Sequence, residues 1–259
     1  MFRLWQQIEG NCKSEFIFDF SECSFLRQNA VAFLGGLVRL IEARGGCAII
    51  ACETLQNSIK TNLTQNGFLY TFNKDREGWP GNSIPYREDT SGNLDNIGDY
   101  LENLWLGRDW VEVDSAIKDE IVCNVLEVYT NAFEHGQSDI GVFTCGQRYP
   151  NLNILKLTVI DFGVGIPANV RQFHQNDSLP AEDALRWAFK PGTTTRRSIA
   201  PGGTGLNLLK KFVTSKRGKI EFYSHNGYAL IDQQQETYYS VDTFFKGTLM
   251  NITIRCDVT

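Results

Sequence analysis

Apolar positions recur along this chain with two different periods, and the changes of period mark out its elements. Residues 15–20 are dense in aromatic side chains and predict a strand. Residues 30–43 are apolar at helical spacing, with Gly35-Gly36 inside, and Gly45-Gly46 ends them. Residues 47–52 read as a buried strand, 53–65 as a more polar helix and 69–72 as a last short strand. Residues 73–96, rich in Gly, Pro, Asn, Asp and Ser around Trp79-Pro80-Gly81-Asn82, carry turn chemistry and predict a domain boundary. A long helix over 114–135 follows, capped by Asp114 or Ser115. Strands are expected at 140–144 and 152–160, an irregular stretch over 168–201, and a helix over 204–215. Three strands close the chain at 219–224, 228–231 and 248–255. The alternation implies an α/β protein. A module at 1–75 and a linker at 76–104 lead to an α/β sandwich at 105–259, with helices on one face of a mixed or antiparallel sheet.

Composition narrows the class. The 259 residues suffice for one large or two small domains, and the 42% hydrophobic and 21% charged content is that of a soluble globular protein. A net charge of -5 argues against a nucleic-acid surface as the main function. No apolar run approaches a membrane span, and the start lacks a signal peptide's apolar stretch, so a cytoplasmic protein is expected. Seven scattered cysteines argue against a disulfide framework, and Cys47 and Cys52 are read as flanking a strand and not as metal ligands.

Candidate chemistry sits in three segments. Glu127, Asn131, Glu134 and His135 form one polar stripe on the 114–135 helix, among Ile121, Val122, Val125, Leu126 and Ala132. Alone, that stripe could be a solvated face. The strand ending Val159-Ile160-Asp161 leads into Phe162-Gly163-Val164-Gly165-Ile166. A carboxylate there can accept a hydrogen bond from an adenine amino group, and glycines let backbone approach the base. Gly202-Gly203-Thr204-Gly205-Leu206 precedes a helix, where free N–H groups and the positive helix end favour phosphate. No Lys-Ser/Thr follows, so it is not a Walker A loop. His174 and His225 read as ordinary polar residues.

In this order the three segments resemble the N, G1 and G2 boxes of the GHKL nucleotide-binding superfamily, over the stretch from Trp105 to Thr259. The Glu127–His135 segment is especially similar to the N box of anti-sigma-factor serine kinases. The resemblance implies a Bergerat-type sandwich that binds ATP (or ADP) with Mg2+. Asn131 then corresponds to the metal ligand and Glu127 to the catalytic base. Asp161, Gly163, Gly165, Ile166, Gly203, Thr204, Gly205 and Leu206 correspond to nucleotide-binding positions, and Thr248 to the adenine-side threonine. Residues 189–196 resemble the lid of histidine-kinase ATPase domains, with Lys190, Arg196 or Arg197 offsetting γ-phosphate charge. The family often continues Gly-Leu-Gly-Leu where this chain has Gly205-Leu206-Asn207-Leu208, which implies a packing change. No two-helix segment with an acceptor His precedes the N box, so histidine autophosphorylation is not expected.

Residues 18–26 and the helix after them look like a STAS domain, the fold of anti-sigma-factor antagonists; the alternative is a plain α/β cap. The STAS phospho-acceptor position falls near Gln28, which cannot accept a phosphoryl group, so docking or regulation is implied. Three functions remain open: a kinase acting on a partner protein, an ATP-hydrolysing switch whose dimerisation or partner binding changes, and a non-catalytic nucleotide sensor.

Overall fold

In a computed structural model, which describes residues 1–73, 81–112, 114–193, 205–215 and 218–257, the chain opens with α1 (Phe2–Glu9). This helix buries Phe2, Trp5 and Ile8, one stripe at helical spacing. Then come β1 (Glu15–Phe18), α2 (Gln28–Ala43) and β2 (Cys47–Ile50), with β1 and β2 paired in parallel as a βαβ unit. Short helices α3 (Asn57–Gln65) and α4 (Phe68–Asn73) lead to β3 (Ser83–Asp89) and α5 (Leu94–Asp99). A π-helical segment at Tyr100–Trp105 precedes the long α6 (Ser115–His135). Asp114 caps α6, its carboxylate accepting from the Ile117 amide at 2.8 Å. The remaining elements are β4 (Val142–Tyr149), β5 (Ile154–Asp161), α7 (Ile166–His174), α8 (Ala181–Ala188), α9 (Gly205–Ser215), β6 (Lys219–Asp232) and β7 (Glu236–Arg255).

The five-stranded sheet has the order β3-β4-β5-β7-β6, and every pair in it is antiparallel, so of the mixed and antiparallel sheets the sequence allows, the antiparallel one is formed. Helices cover both of its faces instead of one. Leu155, Leu157 and Val159 of β5 join α6 residues Ile121, Val125 and Tyr129 in one core. Ile160, on the other face, joins Phe33 and Leu37 of α2 in a second core. With both faces buried, β5 cannot show hydrophobic alternation along its length.

The segment before β3 therefore lies against the sheet. Phe2 stacks on Phe245 of β7 at 5.0 Å, and Phe33 and Phe162 lie 5.6 and 5.3 Å from the same ring. The Gly35-Gly36 pair lets α2 come this close, since a Cβ on Gly36 would collide with the Phe162 ring. Each large ring buried here is worth about 1.5–3 kcal/mol.

Several local expectations are overturned. Residues 69–72 are helical, because the Asn66 side chain accepts from the Phe68 amide at 3.0 Å and turns the chain into α4, where packing buries Phe68 and Leu69. The expected loop over 73–96 and linker over 76–104 contain β3, an edge strand of the main sheet, together with α5 and most of the π-helical segment. Pro85 hides β3 in the sequence; it falls where the register shifts between Ile84 and Arg87, as edge strands allow. The strand at 47–50 is half exposed and not buried, with Ile49 and its β1 neighbour Ile17 on the open face. Residues 53–65 begin with a 3-10 turn at Cys52–Thr54 and become α-helical only from Asn57. The stretch 168–201, expected to be irregular, carries most of α7 and all of α8. Residues 219–231 form one strand and not two, β6 running through to Asp232.

Candidate functional site

A cavity of about 120 Å³ lies between α6, the turn after β5, α7, α8 and the start of α9. That is several times the roughly 10–15 Å³ one water needs. Asp161 reaches it from the end of β5, and Glu127 and Asn131 reach it from α6, one helical turn apart. Gly165, Ile166, Leu206 and Thr248 complete the group of sequence candidates that line it. Gly163 and Lys190 do not line it: Gly163 packs into the turn behind, and Lys190 is exposed after α8. Gly205 opens α9. Gly202, Gly203 and Thr204 lie outside the described residues, as do Arg196 and Arg197.

Asp161 is the unusual group. Its side chain is 4% exposed and faces Thr248 directly across the β5–β7 ladder. The Gly163 amide donates to Oδ1 at 2.9 Å, and the Thr248 amide also donates to the carboxyl. Burial outweighs both donors and pushes the carboxyl up to about 7. Among the described residues no cation offsets the charge, so the carboxylate has spare acceptor capacity aimed at the cavity.

The turn that carries Asp161 is tied down from three sides. The Val164 amide donates to the Gly136 carbonyl at the end of α6, at 2.6 Å. Gly165 caps α7 at φ 78°, a conformation that disfavours any side chain, and leaves no room for one. The Ile166 amide donates to Ser224 Oγ at 3.1 Å, and Ser224 Oγ lies 3.2 Å from Thr248 Oγ1. His225 completes the clamp. Its Nε2 is 2.9 Å from the Val164 carbonyl, which can only accept, so Nε2 carries the proton and Nδ1 accepts from Arg171 at 3.2 Å. Burial holds this imidazole below its ordinary range and keeps it neutral.

Glu127 stands exposed at the rim, while Asn131 is half buried inside it. Among the described residues neither side chain has a hydrogen-bond or ion-pair partner. Nor does any group of three or more His, Cys, Asp and Glu among those residues make a metal nest. A metal here would rest on the Asn131 oxygen and on oxygens brought by a ligand, which is how Mg2+ is commonly held. The residues fit a Mg-nucleotide in that sense.

Sequence reasoning missed one wall. Asn169 of α7 donates to the His135 carbonyl at 2.9 Å, and Trp187 of α8 packs on Phe173 and His174 while lining the cavity. Pro167 and Pro180 were the available signal, since proline is favoured where helices start. Asn207 stands where the resemblance expects glycine; it is buried and donates to the Phe189 carbonyl at 3.2 Å, fixing α9 to the end of α8. No protein-family model matches the chain, and no curated protein matches it. No helix of the described residues is long and apolar enough to cross a membrane.

Proposed function

We propose that the chain is a GHKL-type signalling protein that binds Mg-ATP in this cavity and transfers phosphoryl to a protein partner. The observation that carries the reading is Asp161, a buried carboxyl with no cation beside it among the described residues, facing a cavity that also holds Glu127 and Asn131. A buried group shifted this far, in a cleft, supports reading the cavity as a functional site.

In this reading Asp161 accepts from the adenine amino group and Thr248 supports it through a water. Gly165 and Ile166 bring backbone to the base. Leu206 and the α9 terminus are read as the phosphate side. The bound Mg-nucleotide supplies an activated phosphoryl group. Asn131 would offer its oxygen to the metal, and Glu127 would take the proton from the attacking hydroxyl. The segment before β3 is read as a STAS-like docking or regulatory layer. Phe162, next to Asp161, sits in that layer's aromatic core, and this favours a second reading in which ATP works a conformational switch.

The test is ATP binding and γ-label transfer in native, Glu127→Gln, Asn131→Ala and Asp161→Ala proteins. Asp161→Ala should weaken binding a hundredfold or more. Glu127→Gln should keep binding and lose turnover. Binding with no release or transfer of phosphate, even with a partner present, would leave a sensor and remove the kinase. An Asp161→Ala protein that binds ATP normally would remove the whole reading. Affinity should also depend on pH: the acceptor must be ionised, so binding should weaken about tenfold per unit below pH 7 and level off above it.

A further inference from the structure

A second cavity, of about 410 Å³, opens on the opposite face of the sheet, between the N-terminal elements and the strands. Buried amides line it: Gln28, 4% exposed, and Asn251, 6% exposed. Their oxygens are occupied. Asn251 Oδ1 accepts from Thr158 Oγ1 at 2.7 Å, and Gln28 Oε1 accepts from the Tyr149 hydroxyl at 2.8 Å. The Asn251 Nδ2 donor makes no hydrogen bond to any described residue and is open to the cavity. Helix α2 begins at the same place; Arg27 at its N-cap makes no side-chain cap, and Asn29 Oδ1 accepts from the Ala30 amide at 2.9 Å.

Charge converges on this donor. Arg3, Arg27 and Lys156 line the cavity, and none has an ion-pair partner among the described residues. The one carboxylate in the lining, Glu221, is engaged by Lys219 at 3.1 Å and by the Tyr228 hydroxyl at 3.3 Å. Burial first, then the Lys219 and Arg27 charges, hold the Lys156 ammonium below its ordinary range against the opposing pull of Glu221. A chain of net charge -5 has thus gathered three cations against one carboxylate around an unused amide donor and the start of a helix. Phe2 and Tyr223 supply apolar wall beside them.

We infer that this cavity is a binding site for a small organic anion, held through a phosphate or carboxylate group by Asn251, Arg27, Lys156 and the first turn of α2. Its volume is that of a metabolite-sized ligand pocket. The site does not depend on the nucleotide reading, since it lies on the other side of the sheet.

Inorganic phosphate and acetate are the probes, titrated at constant ionic strength against chloride, with the Asn251 side-chain NH2 followed by NMR in the full chain. A saturable shift is expected with phosphate, or with both anions, and not with chloride. Saturation by phosphate alone identifies a phosphate-bearing ligand; saturation by acetate as well admits carboxylates. Arg27→Gln, at an exposed position that leaves the fold intact, and Lys156→Gln should each raise Kd tenfold or more, while Asp161→Asn should leave it unchanged. No saturable shift with either anion, or a Kd indifferent to both cation substitutions, would overturn the proposal.

Discussion

Beside the larger cavity on the α2 face of the sheet, Phe2, Trp5, Phe33, Phe162 and Phe245 close on one another around a ring that is fully buried. On the α6 face, an equally buried core of Trp105, Tyr129 and Leu157 stops short of the end of β5 and leaves a cavity there. Neighbouring residues of one strand serve the two sides, with Ile160 in the closed aromatic face and Asp161 at the open polar one. The closed face gains stability from shape. The open face gives stability up, because a carboxyl is buried with two amide donors and no counter-charge among the described residues. The contrast separates residues that hold the fold from residues that the fold tolerates.

Substitutions can break the comparison or sharpen it. Phe245→Ala removes the ring that the others share and should cost about 3–5 kcal/mol by denaturant unfolding, with α1 released first. A loss below about 1 kcal/mol would mean that face is not close-packed. Asp161→Asn should do the opposite at neutral pH. The folded carboxyl titrates near 7 and the unfolded one near its ordinary value, so the folded state holds the extra proton. The stability this gives is complete below about pH 4 and is lost as pH rises through 7. Asn avoids the loss, so the variant should gain at most about 4 kcal/mol at pH 8 and almost nothing at pH 4. Thermal unfolding at the two pH values reads the difference, and an equal gain at both would contradict the burial argument. Gly36→Ala should cost about 1–3 kcal/mol, since a methyl there meets the Phe162 ring in a packed interior. Its sharper readout is ATP affinity, which should fall if the closed face positions the Asp161 turn.

The long capped helix α6, the strand ending in Asp161 and the helix α9 were legible because each carries its own boundary: Asp114, the Asp161-to-Gly165 turn, and glycines before an apolar run. Asn131, Asp161 and Thr248 line one cavity. What the sequence hid, it hid for local reasons. Pro85 disguised β3 as a loop, and the aromatic run Phe68-Leu69-Tyr70 looked like strand until the Asn66 side chain turned it into helix. Polar α7 and α8 lacked a long apolar stripe, so Asn169 and Trp187 went unseen. His225 read as an ordinary polar side chain, because nothing local reveals that a bulge in β6 turns it onto the Val164 carbonyl.

The close approach at Gly36 has a bearing on how such a chain can be inherited. Were the segment before β3 a separable module, a cut there would release a self-contained piece that could be spliced onto other proteins. Here the cut strips α1 and α2 from the sheet and lays Phe143, Ile160, Phe245 and Leu249 open to water. Such a fragment exposes a sticky apolar plane. A cut at that point is therefore expected to leave a piece that does not stay folded, so the two halves of the sequence are expected to be inherited as one unit.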